Sequence, residues 1–265
     1  MLAVSTGNRA ALECLSTLTL PAATPGATDA LCRALRELKP DSASAVTQRL
    51  PLLVTLDDGL VRSFLVTPAQ GTRSLRELKE CAALRYAALY GEPAEDWAIA
   101  ADWQASSPFI ACALPGELRQ TIVAVAAAND WRLHSVAPAL VRVWNQVAAA
   151  IPGNGWLGVG FAHTLTLVHT CSDQIAGVRT VHFPETMEAL ATLIEQERLR
   201  TPARGAARER QTLSWVGAAE WLPAAGTFAG LPSFSHPLPA PPALFATLDE
   251  ARQHACRLAL AALAP

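Results

Sequence analysis

The sequence predicts a mixed α/β protein built as two consecutive lobes, and three observations carry that prediction. Short apolar strands alternate with amphipathic helices along the chain, some strands leading into helices and others returning directly. A glycine-bearing run, Trp156-Leu157-Gly158-Val159-Gly160-Phe161-Ala162-His163-Thr164, continues as strand through Leu167 and Val168. Just before it, Gly153 and Gly155 in the loop 151–155 mark the boundary between two halves.

Each element has a local reason. Leu2 to Val4 and Leu12 to Leu18 read as strands joined through Thr6-Gly7-Asn8. Thr28 or Asp29 caps a helix that places Leu31, Leu35 and Leu38 on one face and stops at Pro40. Leu52 to Leu56 and Leu60 to Val66 flank Asp57-Asp58-Gly59, which predicts a hairpin and makes the two carboxylates turn residues. Ser74 opens a helix with Leu75, Leu78, Ala82, Tyr86 and Leu89 inward, closed by Gly91 and Pro93. Strands follow at Trp97 to Trp103 and Phe109 to Leu114, then a helix from Pro115 with Leu118, Ile122, Val125 and Ala126 buried. Arg132 to Val136 is a strand, and Pro138 begins a helix through Trp144. In the second half, strands are expected over 156–170 and 175–183, and a helix runs from Thr186 to about Leu199. A basic loop follows from Arg200 to Arg210, then a strand at Leu213 to Val216. Residues 222–243, rich in proline, read as an irregular connection, and Thr247 with Glu250 forms a capping box for a last helix.

Composition excludes several classes. Of 265 residues, 51% are hydrophobic and 17% charged, which is the balance of a globular core and not of a disordered segment. A net charge of -2 gives no electrostatic reason for nucleic acid or an anionic bilayer. The only lysines, Lys39 and Lys79, stand in Leu-Lys-Pro and Leu-Lys-Glu, so a Gly-Lys-Ser/Thr phosphate loop is excluded. The six cysteines are scattered singly with no CxxC pair, as expected of reduced thiols in a cytoplasmic protein. No signal peptide and no membrane span of about 18 apolar residues is expected.

The run PLLVTLDDGLVRSFLV, then DWAIAADW, then FIACALPGELRQTIVAVAAANDWRLHSVAPALVRVWNQ and WLGVGFAHTLTLV, resembles a known succession. It is similar to that of the PilM-like and GspL-like cytoplasmic proteins of type IV pilus and type II secretion assembly. The resemblance covers residues 51–183, about half of the chain, and rests on element order and apolar pattern. It implies an actin-like, ribonuclease H-like two-lobe fold, with lobes at 1–148 and 149–265 and a reduced insertion near 60–110. Nucleotide-binding members of that superfamily carry Asp-x-Gly-x-x-x-Thr at the second phosphate hairpin. This chain keeps Gly160 and Thr164 there but has Gly158 in place of the Asp. The first phosphate loop offers Ser5, Thr6 and Gly7 without an Asp, and the adenosine motif falls at Gly217-Ala218 beside Trp215, where nucleotide binders carry Gly-Gly.

The resemblance therefore implies a non-enzymatic scaffold with no cofactor and no metal, held at the inner membrane through another subunit. Family members bind the cytoplasmic tail of a bitopic inner-membrane assembly protein and contact the assembly ATPase; a homodimer is a further option. The tail lies in a groove of the first lobe, which points here to Arg62, Phe64, Arg85 and Tyr86. The alternative is a divergent actin-like ATPase with Ser5, Thr6, Gly160, Thr164 and Gly217 around the nucleotide. A sugar-kinase-like enzyme needs a catalytic Asp that position 158 lacks. His163, His169 and Cys171, at period 2, are read as core or rim residues of one strand, and Cys112 as a small core residue. Trp131, Trp144 and Trp156 are read as core anchors near the hinge, and the arginines of 198–210, mixed with Glu195, Glu197 and Glu209, as a solvated loop.

Overall fold

The computed structural model describes residues 2–5, 12–16, 27–37, 51–161, 163–183, 186–200, 211–217, 219, 221–236, 253 and 259. Thr6, Ala218 and nearly all of the expected basic loop and last helix lie outside them.

Strand β1 (Leu2–Ser5) pairs antiparallel with β2 (Leu12–Ser16), Ser5 opposite Leu12. Helix α1 (Ala27–Glu37) packs against α3 (Gly116–Ala128), and Cys32, Leu118 and Ile122 between them are buried. That layer closes over β3 (Pro51–Leu56) and β7 (Arg132–Pro138), which pair in parallel.

Between β3 and β7 the chain makes a small unit of its own. Strands β4 (Arg62–Val66), β5 (Trp97–Ala101) and β6 (Phe109–Pro115) form an antiparallel sheet in the order β4-β6-β5. Helix α2 (Leu75–Tyr90) covers one face. Ser74 and Glu77 close a capping box at its start, and Gly91, at φ +72°, supplies the left-handed residue at its end. Its buried stripe is Leu78, Ala82 and Tyr86; Leu75 and Leu89, expected inward, are exposed. Helix length accounts for Leu75, because 16 residues span about 24 Å whereas five-residue strands span about 17 Å; at the other end Tyr90 packs on Phe64 in place of Leu89.

The predicted hairpin over 52–66 does not form. β3 and β4 enter different sheets, because β3 takes β7 as its neighbour and β4 takes β6. Asp57 and Asp58 therefore sit on a tight 3₁₀ turn, Asp58–Leu60, that carries the chain from one sheet to the other.

The second half is one six-stranded sheet, ordered β10-β9-β8-β11-β13-β12. Strands β8 (Gly155–Phe161), β9 (Thr164–Cys171) and β10 (Gln174–His182) form an antiparallel meander, and β11 (Thr212–Gly217) lies parallel to β8. β13 (Leu231–His236) is parallel to β11, with β12 (Gly226–Phe228) at the edge. Two expectations are corrected here. Residues 156–170 are not one strand but two antiparallel ones, β8 ending at Phe161 and β9 starting at Thr164, and 222–243 contains β12 and β13.

Helix α4 (Ala139–Val147) packs Leu140 and Val143 onto Leu157, Val159, Phe161, Val168 and Val216 of this sheet. Helix α5 (Met187–Arg200) covers the opposite face through Leu190 and Ile194, against Trp156, Leu165, Leu167, Leu213 and Trp215. With both faces covered, every residue of β8 is buried. The α4 face thus ties a helix from the 1–148 half into the core of the other.

Candidate functional site

The β8–β9 hairpin brings three of the candidate nucleotide residues, Gly160, Thr164 and Gly217, into one place, and the protein's own side chains already occupy their surroundings. Gly158 and Gly160 lie on the α5 face of β8, next to β11. The fully buried Trp215 lies flat against Gly158, and a Cβ added there would fall inside contact distance of its Cε3 and Cζ3. Trp215 is fixed by its Nε1 donating to Ser233 Oγ at 3.0 Å and by an edge contact with Phe228. At Gly160 an added Cβ would lie 2.7 Å from Leu222 Cδ2 and 2.8 Å from Trp221 Cη2. Gly217, at φ +150°, presses on the Gly160 carbonyl in the neighbouring strand, an approach that only glycine allows. The ring of Trp221 is in turn stacked on Phe183, centroids 3.9 Å apart.

The third of these residues, Thr164, is engaged from the other half. Its hydroxyl donates to Asp57 Oδ1 at 2.8 Å, and the same oxygen accepts the Gly59 amide at 2.8 Å. Asp58 goes deeper, being 3% exposed. Its Oδ1 accepts the Leu140 amide at 2.9 Å, so a residue 82 positions away caps α4, whose own N-cap, Pro138, has no side-chain oxygen. Burial pushes the Asp58 carboxyl up to about 7; hydrogen bonds from the Leu140 amide and the Thr166 hydroxyl oppose that rise, and the Asp57 charge adds to it. The two aspartates, read from sequence as hairpin-turn residues, form the junction between the 3₁₀ turn, α4 and β9. Ser5 ends β1.

Beside this junction a cleft of about 230 Å³ opens between β4 and β10. Asp58, Arg62, Tyr90, Thr164, Thr180 and His182 line it. Arg62 reaches it from β4 and ion-pairs with Glu92, donates to the Tyr86 hydroxyl, and lies over the rings of Trp97 and Tyr90 at 4.1 and 4.6 Å. Of the four residues marked for partner contact, Phe64 and Tyr86 are 2% and 0% exposed and meet edge-to-face in the core of the small sheet. Arg62 is half-buried, while Arg85 is exposed and donates to the Leu65 carbonyl at 3.3 Å. The four are neighbours, but only the arginines present accessible surface.

The histidines separate. His163 is exposed in the hairpin turn; His169 is buried, tilted at 37° against Trp156 with centroids 4.5 Å apart, and burial lowers its pKa. Cys112 is half-buried beside Ser63, and burial pushes its thiol up to about 11, away from the thiolate form. Among the described residues no cluster of three or more His, Cys, Asp or Glu side chains forms a metal site, and no helix is long and apolar enough to cross a membrane.

Among solved structures, the chain is similar to one from a PilM–PilN type IV pilus biogenesis complex, with a TM-score of 0.57 at 14% identity over 98% of this chain and 92% of that one. It is also similar to the cytoplasmic domain of EpsL, an inner-membrane component of the type II secretion system of Vibrio cholerae. There the TM-score is 0.52 at 11% identity, over 89% of this chain and 80% of that one. The fold is actin-like. Its second half has the ribonuclease H-like arrangement, an antiparallel meander followed by strands parallel to the first, and its insertion is the unit built by β4, α2, β5 and β6. No protein-family model matches the sequence, nor does any curated protein sequence. The Trp221-Leu222 pair was missed by sequence reasoning, and Trp215 was noted only as a neighbour of the adenosine motif and not as the side chain that fills the space at Gly158. The available signal was a tryptophan two residues before Gly217 and another four after it.

Proposed function

We propose that this protein is a non-enzymatic scaffold of a type IV pilus-like or type II secretion-like machine, linking a membrane partner to the assembly complex. The observation that carries the reading is the filled hairpin. Trp215 stands where the Asp of a nucleotide-binding relative would project, Trp221 and Leu222 cover Gly160, and Asp57 holds the Thr164 hydroxyl. Phosphoryl transfer depends on groups open to metal and phosphate, and at this hairpin the carboxylate is absent from position 158 and the Thr164 hydroxyl is engaged internally. The rival, a divergent ATPase using Ser5, Thr6, Gly160, Thr164 and Gly217, would require these side chains to withdraw together.

The two proposed lobes meet at the Asp57–Asp58 junction, with α4 as the shared element. A partner tail would approach the first lobe beside the insertion, contacting Arg62 and Arg85 over the buried pair Phe64 and Tyr86. Photo-crosslinking from position 85 in cells tests this. The expected product is a single-span inner-membrane protein; recovery of soluble proteins only would count against the scaffold reading.

A further inference from the structure

The insertion ends in an open strand edge. In the sheet ordered β4-β6-β5, β10 packs against β4, whereas β5 has no strand beside it among the described residues. The Asp96 carbonyl accepts the Gly116 amide at 2.8 Å, so the antiparallel alternation makes 96, 98 and 100 the residues that bond towards β6. Residues 97, 99 and 101 then turn their main-chain groups away from β6. The amides and carbonyls of Ile99 and Ala101 and the Trp97 carbonyl face outward. Natural edge strands are usually blunted by lysine, proline or a bulge. Trp97-Ala98-Ile99-Ala100-Ala101 contains neither lysine nor proline, and its register with β6 is regular.

The charges lie at the two ends. Glu95 and Asp96 precede the strand and Asp102 follows it, all three exposed. None of the three has an ion-pair partner among the described residues; Asp102 accepts only the Gln104 amide, at 2.9 Å. This arrangement disfavours a second copy of the chain. Antiparallel pairing of two β5 strands centred on Ile99 would set Asp96 opposite Asp102 at both ends, and like charges directly opposed are destabilising.

We infer that the β5 edge is a docking site for an extended polypeptide segment of about five uncharged residues flanked at both ends by lysine or arginine. Main-chain bonds to Ile99 and Ala101 supply the pairing, and the acidic ends choose partner and register. The inference rests on strand order and charge and not on the scaffold reading, so either can fail alone.

The probe is a fluorescein-labelled peptide, Lys-Arg-Val-Thr-Val-Thr-Val-Arg-Lys, with a control in which each basic residue is glutamate. Fluorescence anisotropy should give at least tenfold tighter binding for the basic peptide, weakened severalfold between 50 and 500 mM salt as expected of screened charges. Ala101→Pro removes only an outward amide, which an edge strand tolerates, and should reduce binding at least tenfold with unchanged circular dichroism. The double variant Asp96→Lys/Asp102→Lys should reverse the preference between the peptides. Equal binding of both peptides, binding of neither, or indifference to Ala101→Pro would overturn the inference. So would a concentration-dependent dimer of the protein alone that Ala101→Pro abolishes, since the occupant would then be a second copy.

Discussion

Restoring the missing acid, Gly158→Asp, separates a filled hairpin from a vacant one. An added Cβ meets the six-membered ring of Trp215, which is fully buried and cannot swing away without losing its bond to Ser233. Overpacking of this kind costs about 1–3 kcal/mol. The carboxylate would enter an apolar cluster of Trp156, Leu165, Leu167 and Leu213, adding several kcal/mol for an unpaired charge. Against a total stability of roughly 5–15 kcal/mol, the sum leaves the variant marginal or unfolded. Gly158→Ala carries only the first cost and should fall between the two. Urea denaturation followed by tryptophan fluorescence gives the ranking wild type, Gly158→Ala, Gly158→Asp. If Gly158→Asp folds with its midpoint within error of wild type, Trp215 does not occupy that space, and the ATPase reading regains its site.

Other predictions concern the junction and the insertion. Burial raises the Asp58 carboxyl from an ordinary 3.8 to about 7, so the folded state holds its proton more tightly than the unfolded state. The stability this contributes is complete below pH 3.8 and is lost as pH rises through 7; thermal midpoints should drop between about pH 4 and 7 and level off above, and Asp58→Asn should flatten that drop. A double-mutant cycle of Asp57→Ala and Thr164→Val should return a coupling of roughly 1–3 kcal/mol, whereas a value near zero would mean that the bond across the halves does not form. Phe64→Ala should cost about 3–5 kcal/mol by denaturant titration because the ring is core, which rules it out as a clean probe of partner contact. Arg62→Glu is also unsuitable, since it places a carboxylate against Glu92; Arg85→Glu should lose capture of the membrane partner with an unchanged melting curve.

Much of the fold was legible because its signals are local. Ser74 at one end and Gly91 at the other delimit α2 in sequence as in structure, and the glycine-bearing run from Trp156 pointed to strands of the second sheet. What was misread depended on partners far along the chain. Asp57-Asp58-Gly59 between apolar runs has the form of a hairpin, yet β3 pairs with β7, which begins 76 residues after β3 ends, and this long-range pairing buries Asp58. Between Phe161 and Thr164 the sequence has no glycine, asparagine or proline of the kind that punctuates turns, so a hairpin read as one strand. Leu75 shares the helical period of the buried face, but periodicity takes no account of how far the underlying sheet extends. The departures of the nucleotide motifs were visible in sequence as a missing Asp. That Trp215, Trp221 and Leu222 fill the space was visible only once β8 and β11 lay side by side.

The central claim, that this actin-like hairpin is closed to nucleotide, is tested most directly by calorimetric titration of the purified protein with ATP and magnesium. The account predicts no saturable heat up to millimolar ATP, and no rise in melting temperature. A ligand present at 100 times its dissociation constant would add about 2.7 kcal/mol, or about 5–10 °C for a chain of this size. Saturable binding below 100 µM that Thr164→Val abolishes would contradict the account and place nucleotide at the hairpin.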